Sequence, residues 1–153
     1  SLYGIRSVGM RFFSVYGPWG RPDMAPYIFT KSILNDEEIK IFNHGNMKRD
    51  FTYVSDIVDG IIGLMLYSDH LKYDIYNIGS GNPVNLLDFV EVVENILGIK
   101  SKRTLMPLQD GDVLETYADI SRIKNDVFYE PKVDIQTGMK KFVEWYLMYG
   151  KAR

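Results

Sequence analysis

The chain has 153 residues, of which 46% are hydrophobic and 25% charged, and its formal net charge at pH 7 is −2. This composition predicts one soluble globular domain and gives no electrostatic support for a nucleic-acid or anionic membrane partner. The absence of cysteine excludes disulfides and thiolate metal sites, and His44 and His70 are too far apart in sequence to indicate a metal site. No apolar run approaches the roughly 20 residues of a membrane-spanning helix, so a cytoplasmic location is expected.

The first half of the chain predicts alternating strands and helices, because its hydrophobic period changes several times. Strands are predicted over residues 8–16, 39–42 and 50–54, helices over residues 26–34 and from Ser55 onward, and a turn over residues 43–46. Ser55 is expected to cap its helix. The buried stripe of that helix is predicted to contain Ile57, Ile61, Leu64 and Met65.

The second half continues the same alternation. Strands are predicted over residues 75–78 and 103–106. Asn85 is expected to cap a helix that ends at Gly98, and Asp134 to cap the last helix. Their predicted inward residues are Leu86, Val90, Val93 and Leu97 in the first and Met139, Phe142, Val143 and Tyr146 in the second. The pattern predicts an α/β fold, and no repeat or linker divides the chain.

The segment YGPWGRPDM, residues 16–24, predicts a stiff loop between the first strand and the first helix. Pro18 and Pro22 each fix φ and push the preceding residue toward extended geometry, so this backbone is neither helix nor central strand. Loops of this kind hold ligands in many α/β proteins. Arg21 is therefore a candidate binding residue.

Gly79-Ser80-Gly81 follows a predicted strand and precedes a helix, as a dinucleotide-binding loop does. The fingerprint requires a third glycine three residues after the second, and Val84 stands there with Pro83 beside it. A turn before a capped helix is therefore the favoured interpretation, and a cofactor loop is the alternative.

Tyr27 and Lys31 form a Tyr-x-x-x-Lys pattern on the first predicted helix. This spacing places a phenol and an ammonium on one helix face, where the cation would lower the pKa of the phenol and make it a general base. With eleven tyrosines in the chain a chance match is unsurprising. A solvated helix face is the favoured interpretation.

Three ordered blocks of sequence stand out: RFFSVYGPWGRPDM at residues 11–24, NHGNMKRDFTY at 43–53, and GDVLET at 111–116 followed by Ala118 and Asp119. Together they resemble the C-terminal portion of UDP-glucuronate 4-epimerases, which belong to the extended short-chain dehydrogenase/reductase (SDR) superfamily. The resemblance implies a Rossmann-type α/β fold in which residues 1–153 are a single C-terminal substrate-binding domain. One or more strands would be left over from a truncated parallel sheet.

The resemblance also implies an NAD-dependent epimerase that interconverts UDP-glucuronate and UDP-galacturonate at C4 through a 4-keto intermediate. In that family the NAD loop and the catalytic Tyr-x-x-x-Lys lie upstream of the block that begins at Arg11. NAD would then be bound mainly by an N-terminal domain absent here, no catalytic residue is assigned within this chain, and the chain alone would be inactive. Tyr27 and Lys31 would be a coincidence of sequence, and the complete protein would be a homodimer.

Two alternatives remain open. The chain would also suit a free-standing UDP-sugar binding or regulatory module, or part of a related UDP-sugar decarboxylase or dehydratase.

By the same resemblance, Arg21 would bind the C5 carboxylate of the sugar, with the Ser14 hydroxyl as a second donor. Relatives usually have threonine in place of Ser14, so the hydroxyl is kept. Arginine suits a carboxylate because its planar fork donates two parallel hydrogen bonds. A solvated loop charge is the alternative for Arg21.

The remaining implied contacts hold the nucleotide. Arg49 would bind the diphosphate, the strand from Lys40 to Phe42 would hold uracil through backbone groups, and Asp112 would accept hydrogen bonds from the ribose hydroxyls. Many related UDP-hexose epimerases have an arginine where this chain has Gln109, which leaves a diphosphate role for Gln109 in doubt. The alternatives are a surface charge cluster for Arg49 and a turn residue for Asp112.

Overall fold

Strands and helices alternate along the computed structural model, which describes residues 2–5, 7–67 and 73–149 and so leaves out His70. The strands are β1 (Ser7–Phe12), β2 (Ser14–Tyr16), β3 (Glu38–Ile41), β4 (Lys48–Arg49), β5 (Phe51–Tyr53), β6 (Tyr73–Ile78), β7 (Val84–Asn85) and β8 (Lys102–Leu105). The helices are α1 (Ala25–Leu34), α2 (Val54–Tyr67), α3 (Leu86–Leu97), α4 (Ser121–Val127) and α5 (Ile135–Tyr149), and Phe42–Gly45 forms a short 3₁₀ turn. None of the helices in these ranges has both the length and the apolar character needed to cross a membrane.

The strands pair mainly in parallel, which confirms the predicted α/β class. β1 pairs with β6, β2 with β5 and β3 with β8, all in parallel, whereas β4 and β7 are antiparallel. The strand predicted over residues 8–16 changes partner at Phe13, whose N–H donates to the Ile78 carbonyl at 3.3 Å. The next residue, Ser14, donates its N–H to the Asp50 carbonyl at 3.0 Å. Ser14 therefore lies where the parallel pairing switches.

Two hydrophobic clusters hold these elements together. The larger joins α1, α3 and α5 to β2, β3 and β5, and it contains the four predicted inward residues of α5, which are all buried as expected. The smaller packs α2 and α4 on β6 through Ile57, Leu64, Tyr76, Ile78, Ile123 and Tyr129. Trp145 is also buried in the larger cluster.

The predicted caps of the last two long helices are confirmed. The Leu87 N–H donates to Asn85 Oδ1 at 2.9 Å, and Gly98 ends α3 in the left-handed conformation with φ of 68°. The Thr137 N–H donates to Asp134 Oδ1 at 2.8 Å at the start of α5. These contacts are local in sequence, so residue type was enough to predict them.

Three details of the α helices differ from expectation. α2 begins at Val54, directly after β5, so Ser55 lies inside the helix and is not its cap. Met65 is 66% exposed, because the helix turns it away from the side that Ile57 and Leu64 bury. α4 was not predicted, since its seven residues carry little periodic signal.

The end of α3 is fastened to β8 by a buried carboxylate. Glu94 accepts hydrogen bonds from Lys100 Nζ at 2.8 Å, from Ser101 N at 3.0 Å and Oγ at 2.5 Å, and from Arg103 Nη2 at 2.5 Å. Burial alone raises the pKa of Glu94, but these donors outweigh burial and lower the pKa to about 2. The ionised form of Glu94 therefore stabilises the fold.

We expect this pKa shift to make unfolding depend on pH. Because the folded pKa of Glu94 lies below its ordinary value of 4.5, its contribution is present above pH 4.5 and is lost as pH falls toward 2. The full contribution is about 3 kcal/mol. Urea unfolding between pH 2 and 7 measures it, and Glu94→Gln should lower stability at pH 7 and flatten the profile between pH 4.5 and 2. An equally steep profile in Glu94→Gln would contradict this assignment.

Candidate functional site

A cleft of about 570 Å³ opens between the start of α1, the strand β3 and the β4–β5 segment. Its volume lies within the range of small-molecule binding pockets. Its apolar lining consists of Met24, Ala25, Ile28, Phe29, Ile39, Phe42, Met47, Phe51 and Leu86. Its polar and charged lining consists of Ser14, Asp23, Ser32, Glu38, Lys40, Arg49 and Asp112. The fold thus brings together Ser14, Lys40, Phe42, Arg49 and Asp112, which the sequence predicted as site residues.

The strand β3 presents an open edge at this cleft. The Met106 N–H donates to the Ile41 carbonyl at 2.8 Å, so the backbone of Ile41 faces β8. Backbone groups alternate in direction along a strand, and Lys40 therefore turns its N–H and C=O to the opposite edge. In the described residues β3 pairs with β8 alone. Backbone donors and acceptors at Lys40 are thus available to a planar polar ligand.

Arg49 and Asp112 form an ion pair on the wall of the cleft. Arg49 Nη2 lies 2.6 Å from Asp112 Oδ1, and the two side chains are 18% and 35% exposed. Arg49 Nη1 also donates to the Lys48 carbonyl at 2.9 Å, which fixes the guanidinium plane. Asp112 follows Gly111, whose φ of 82° closes a turn in which the Asp112 N–H donates to the Gln109 carbonyl. The fold therefore places the predicted diphosphate and ribose residues side by side.

The neighbour of Arg49, Asp50, is fully buried and holds this region in place. Its two carboxylate oxygens accept five hydrogen bonds, whose donors are Thr52 Oγ1, Ser80 N, Ser80 Oγ, Gly81 N and Ala118 N at 2.7–3.1 Å. The Asp50 N–H donates to Thr116 Oγ1 at 3.0 Å. One side chain thus connects β5, the turn after β6 and the segment that leads from Asp112 to α4. Arg49 is positioned by this network.

The glycine-rich turn Gly79-Ser80-Gly81 binds the carboxylate of Asp50. The N–H groups that would face a phosphate in a dinucleotide loop donate to the Asp50 carboxylate instead. A Cβ added at Gly79 would lie 2.3 Å from the Ala118 Cβ, so glycine is needed for the close approach of these two segments. The structure supports the interpretation of this stretch as a turn, because the N–H groups of Ser80 and Gly81 are already used by Asp50.

Arg21 does not line the cleft; it lies at the rim and is paired with Asp23, which does. Arg21 Nε donates to Asp23 Oδ1 at 3.0 Å, and Nη2 contacts Oδ2 of the same carboxylate. The hydrogen bond from Arg21 lowers the pKa of the Asp23 carboxyl below its ordinary value. The Arg21 side chain is 75% exposed, so its carboxylate-binding role stays a prediction.

Gln109, the other predicted residue outside the cleft lining, is exposed on the turn before Asp112.

Tyr27 was expected on a solvated helix face, and that expectation is wrong for Tyr27. Its ring is buried against Phe142 and Tyr146, with centroids 6.4 and 5.1 Å away, whereas Lys31 is exposed as expected. The burial of Tyr27 indicates that its role is to pack in the hydrophobic core.

No group of three or more metal-ligating side chains occurs in the part of the chain that the structure describes. His44 lies in the turn after β3, where its φ is 52° and its N–H donates to the Met106 carbonyl. The interpretation of His44 as a loop residue is thus confirmed.

Sequence reasoning missed two acidic residues of the site. Asp50 was predicted only to begin a strand beside the charges next to Arg49, yet it is buried and accepts hydrogen bonds from distant segments. Asp23 was considered only as part of the loop that contains Arg21. Its position two residues after Arg21, just before a helix, was the one available signal for a local ion pair.

Several known proteins resemble this chain. A model of the NAD dependent epimerase/dehydratase family matches residues 1–79. Protein CapI from Staphylococcus aureus is 48% identical over 166 aligned positions, which cover 98% of this chain and 50% of CapI. UDP-glucuronate 4-epimerase 2 from Arabidopsis thaliana is 44% identical, with coverage of 98% of this chain and 38% of that enzyme.

A solved structure is also similar. The UDP-glucuronic acid 4-epimerase from Bacillus cereus in complex with UDP-glucuronic acid and NAD superposes with a TM-score of 0.86 at 30% identity. The match covers 91% of this chain and 44% of that one. This chain therefore spans about half the length, or less, of the relatives it matches.

The Asp50 network makes a testable prediction. Asp50→Asn replaces one acceptor oxygen by an NH₂ donor, which leaves buried N–H groups without an acceptor, and we expect a loss of about 3 kcal/mol in the free energy of unfolding. Urea unfolding at pH 7 measures the loss. The control is Asp59→Asn on the exposed side of α2, which should change stability by no more than about 0.5 kcal/mol. Similar losses in both variants would show that the Asp50 network is not the source of stability.

Proposed function

The chain belongs to the NAD dependent epimerase/dehydratase family, and from this premise we propose that it binds the nucleotide sugar of a UDP-glucuronate 4-epimerase. The complete enzyme would interconvert UDP-glucuronate and UDP-galacturonate at C4. Two relatives support this choice of substrate: the Arabidopsis thaliana enzyme by its name and the Bacillus cereus enzyme by its bound ligand. The homodimer expected for the complete protein stays a prediction.

The observation that carries the proposal is the cleft at the edge of β3 with Arg49 on its wall. A UDP-sugar acid brings a diphosphate and a carboxylate to a protein whose net charge is −2, so individual cations must meet the anions locally. Arg49 is mostly buried and its guanidinium plane is fixed, as a diphosphate ligand requires. The open edge of β3 at Lys40 offers the backbone groups that a uracil ring would use.

The second part of the proposal concerns the sugar carboxylate. Arg21 at the rim and Ser14 on the cleft wall would hold this group as a bidentate ion pair and a hydroxyl hydrogen bond. A ketone at C4 would stand β to that carboxylate, which is an arrangement prone to lose CO₂. If the carboxylate is held out of alignment with the carbonyl π system, this loss is disfavoured.

NAD is the cofactor of the family, and it would supply the hydride exchange at C4. The described residues do not form a site for its pyrophosphate at Gly79-Ser80-Gly81, because Asp50 takes the N–H groups of that turn. We therefore assign to this chain the binding and orientation of the UDP-sugar and no redox step. A pyrophosphate site for NAD would have to be formed by residues other than Gly79, Ser80 and Gly81.

We predict that Arg49 dominates affinity for UDP. Arg49→Met removes a charge-assisted contact worth about 1.5–3 kcal/mol, so the Kd for UDP should rise by about 10- to 100-fold. Isothermal titration of the chain with UDP measures this change.

The control for Arg49 is Lys48→Met, which removes the same charge one position earlier on β4. Lys48 does not line the cleft, because consecutive strand residues point to opposite faces. We expect its Kd to change less than about threefold. If wild-type chain binds no UDP, or if the two variants weaken binding equally, the proposed site is wrong.

We predict that Arg21 contributes to binding of the sugar carboxylate and not to binding of the nucleotide. Arg21→Ala should weaken UDP-glucuronate binding by about tenfold and leave UDP-glucose binding unchanged, because only the first ligand has a carboxylate. Arg21→Lys keeps the charge without the planar fork and should fall between the two. In the complete enzyme, Arg21→Ala should also increase the decarboxylated product. Equal effects on both ligands, with an unchanged product ratio, would contradict the role.

A further inference from the structure

The guanidinium of Arg21 already holds a carboxylate, that of Asp23. Two nitrogens of the arginine, Nε and Nη2, meet the two oxygens of the aspartate, and Nε lies 3.0 Å from Oδ1. This fork-to-fork contact is the geometry in which arginine binds any carboxylate, including that of a uronic acid. Asp23 therefore occupies the position on Arg21 that a ligand carboxylate would take.

Asp23 belongs to the cleft lining and also contacts Arg21. It lines the cleft, whereas Arg21 does not. The residue at the N-cap of α1 is Met24, and no side chain caps that helix end. Among the described residues, each side-chain hydrogen bond between Asp23 and another residue comes from Arg21. Its carboxylate can thus leave Arg21 without breaking a hydrogen bond to any other described residue.

We propose that Asp23 is a specificity-determining residue that competes with the ligand carboxylate for Arg21. This inference rests on the proposed function of the cleft. A ligand with a carboxylate replaces Asp23 on the guanidinium, and Arg21 stays paired throughout the exchange. A ligand with a neutral sugar has no carboxylate to bind Arg21, so the ion pair between Arg21 and Asp23 stays intact.

Solvent exposure makes this exchange feasible. The Arg21 and Asp23 side chains are 75% and 61% exposed, so water hydrates the Asp23 carboxylate when it is released. Exposed ion pairs of this kind are weak, and the competition is therefore modest. We expect removal of the Asp23 charge to strengthen uronate binding by about two- to fivefold.

The test compares three ligands on the purified chain by isothermal titration. Asp23→Asn should lower the Kd for UDP-glucuronate by about two- to fivefold and leave the Kd values for UDP-glucose and UDP nearly unchanged. The matched control is Glu38→Gln, which removes another negative charge from the cleft wall without contact to Arg21. Glu38 accepts a hydrogen bond from Thr104 Oγ1, which glutamine can also accept. In Glu38→Gln the ratio of the Kd values for UDP-glucuronate and UDP-glucose should stay at the wild-type value.

A double-mutant cycle shows whether Asp23 acts through Arg21. In the Arg21→Ala background, Asp23→Asn should no longer change the ratio of the two Kd values. Three outcomes would overturn the inference: the same gain for all three ligands, a loss of UDP-glucuronate affinity in Asp23→Asn, or an unchanged effect in the Arg21→Ala background. Thermal unfolding of each variant checks that the fold is kept.

Failure of the proposed function has a different result. If wild-type chain binds none of the three ligands, the cleft is not a UDP-sugar site and both proposals fall. If UDP binds with the expected dependence on Arg49 but Asp23→Asn leaves the ratio unchanged, only the role of Asp23 is wrong.

Discussion

The buried carboxylate of Asp50 is the constraint on which the site depends. An isolated ionised carboxylate is very unfavourable inside a protein, and it is tolerated only when hydrogen bonds replace its lost hydration. Asp50 accepts five of them, from residues up to 68 positions away in sequence. Because these donors must converge on two oxygens, the segments that carry them have little freedom to move. Arg49 directly precedes Asp50 in the chain, so the network also limits the position of Arg49. The segment that leads from Asp112 is held at its far end, where Ala118 donates to Asp50.

This network explains how a glycine-rich turn can resemble a cofactor loop without being one. Successive N–H groups at a strand-to-helix turn form a good anion site, whatever the origin of the anion. In this chain the anion is internal, and the glycine at position 79 permits the close approach of Ala118. In the proposed function, the anions of the nucleotide sugar would then be met elsewhere. Arginines at the wall and rim of the cleft are suited to that task.

Both of those arginines are paired with aspartates in the structure, Arg49 with Asp112 and Arg21 with Asp23. The pairing keeps the cleft close to electrical balance, and under our proposal a ligand carboxylate replaces Asp23 on Arg21. Such exchange lowers the net gain from the new contact, because an existing contact is given up. It does favour ligands whose charges match the positions of the cations.

The amino-acid sequence by itself determined the structural features that depend on residues close together in the chain. The caps at Asn85 and Asp134, the left-handed Gly98 and the buried stripe of α5 follow from contacts within a few positions, and the family resemblance follows from three blocks of contiguous sequence. Tertiary structure alone decided the burial of Asp50, the pairing of Arg49 with Asp112 across 63 positions and the burial of Tyr27. Sequence patterns describe one segment at a time, whereas charge compensation and packing depend on which segments the fold brings together.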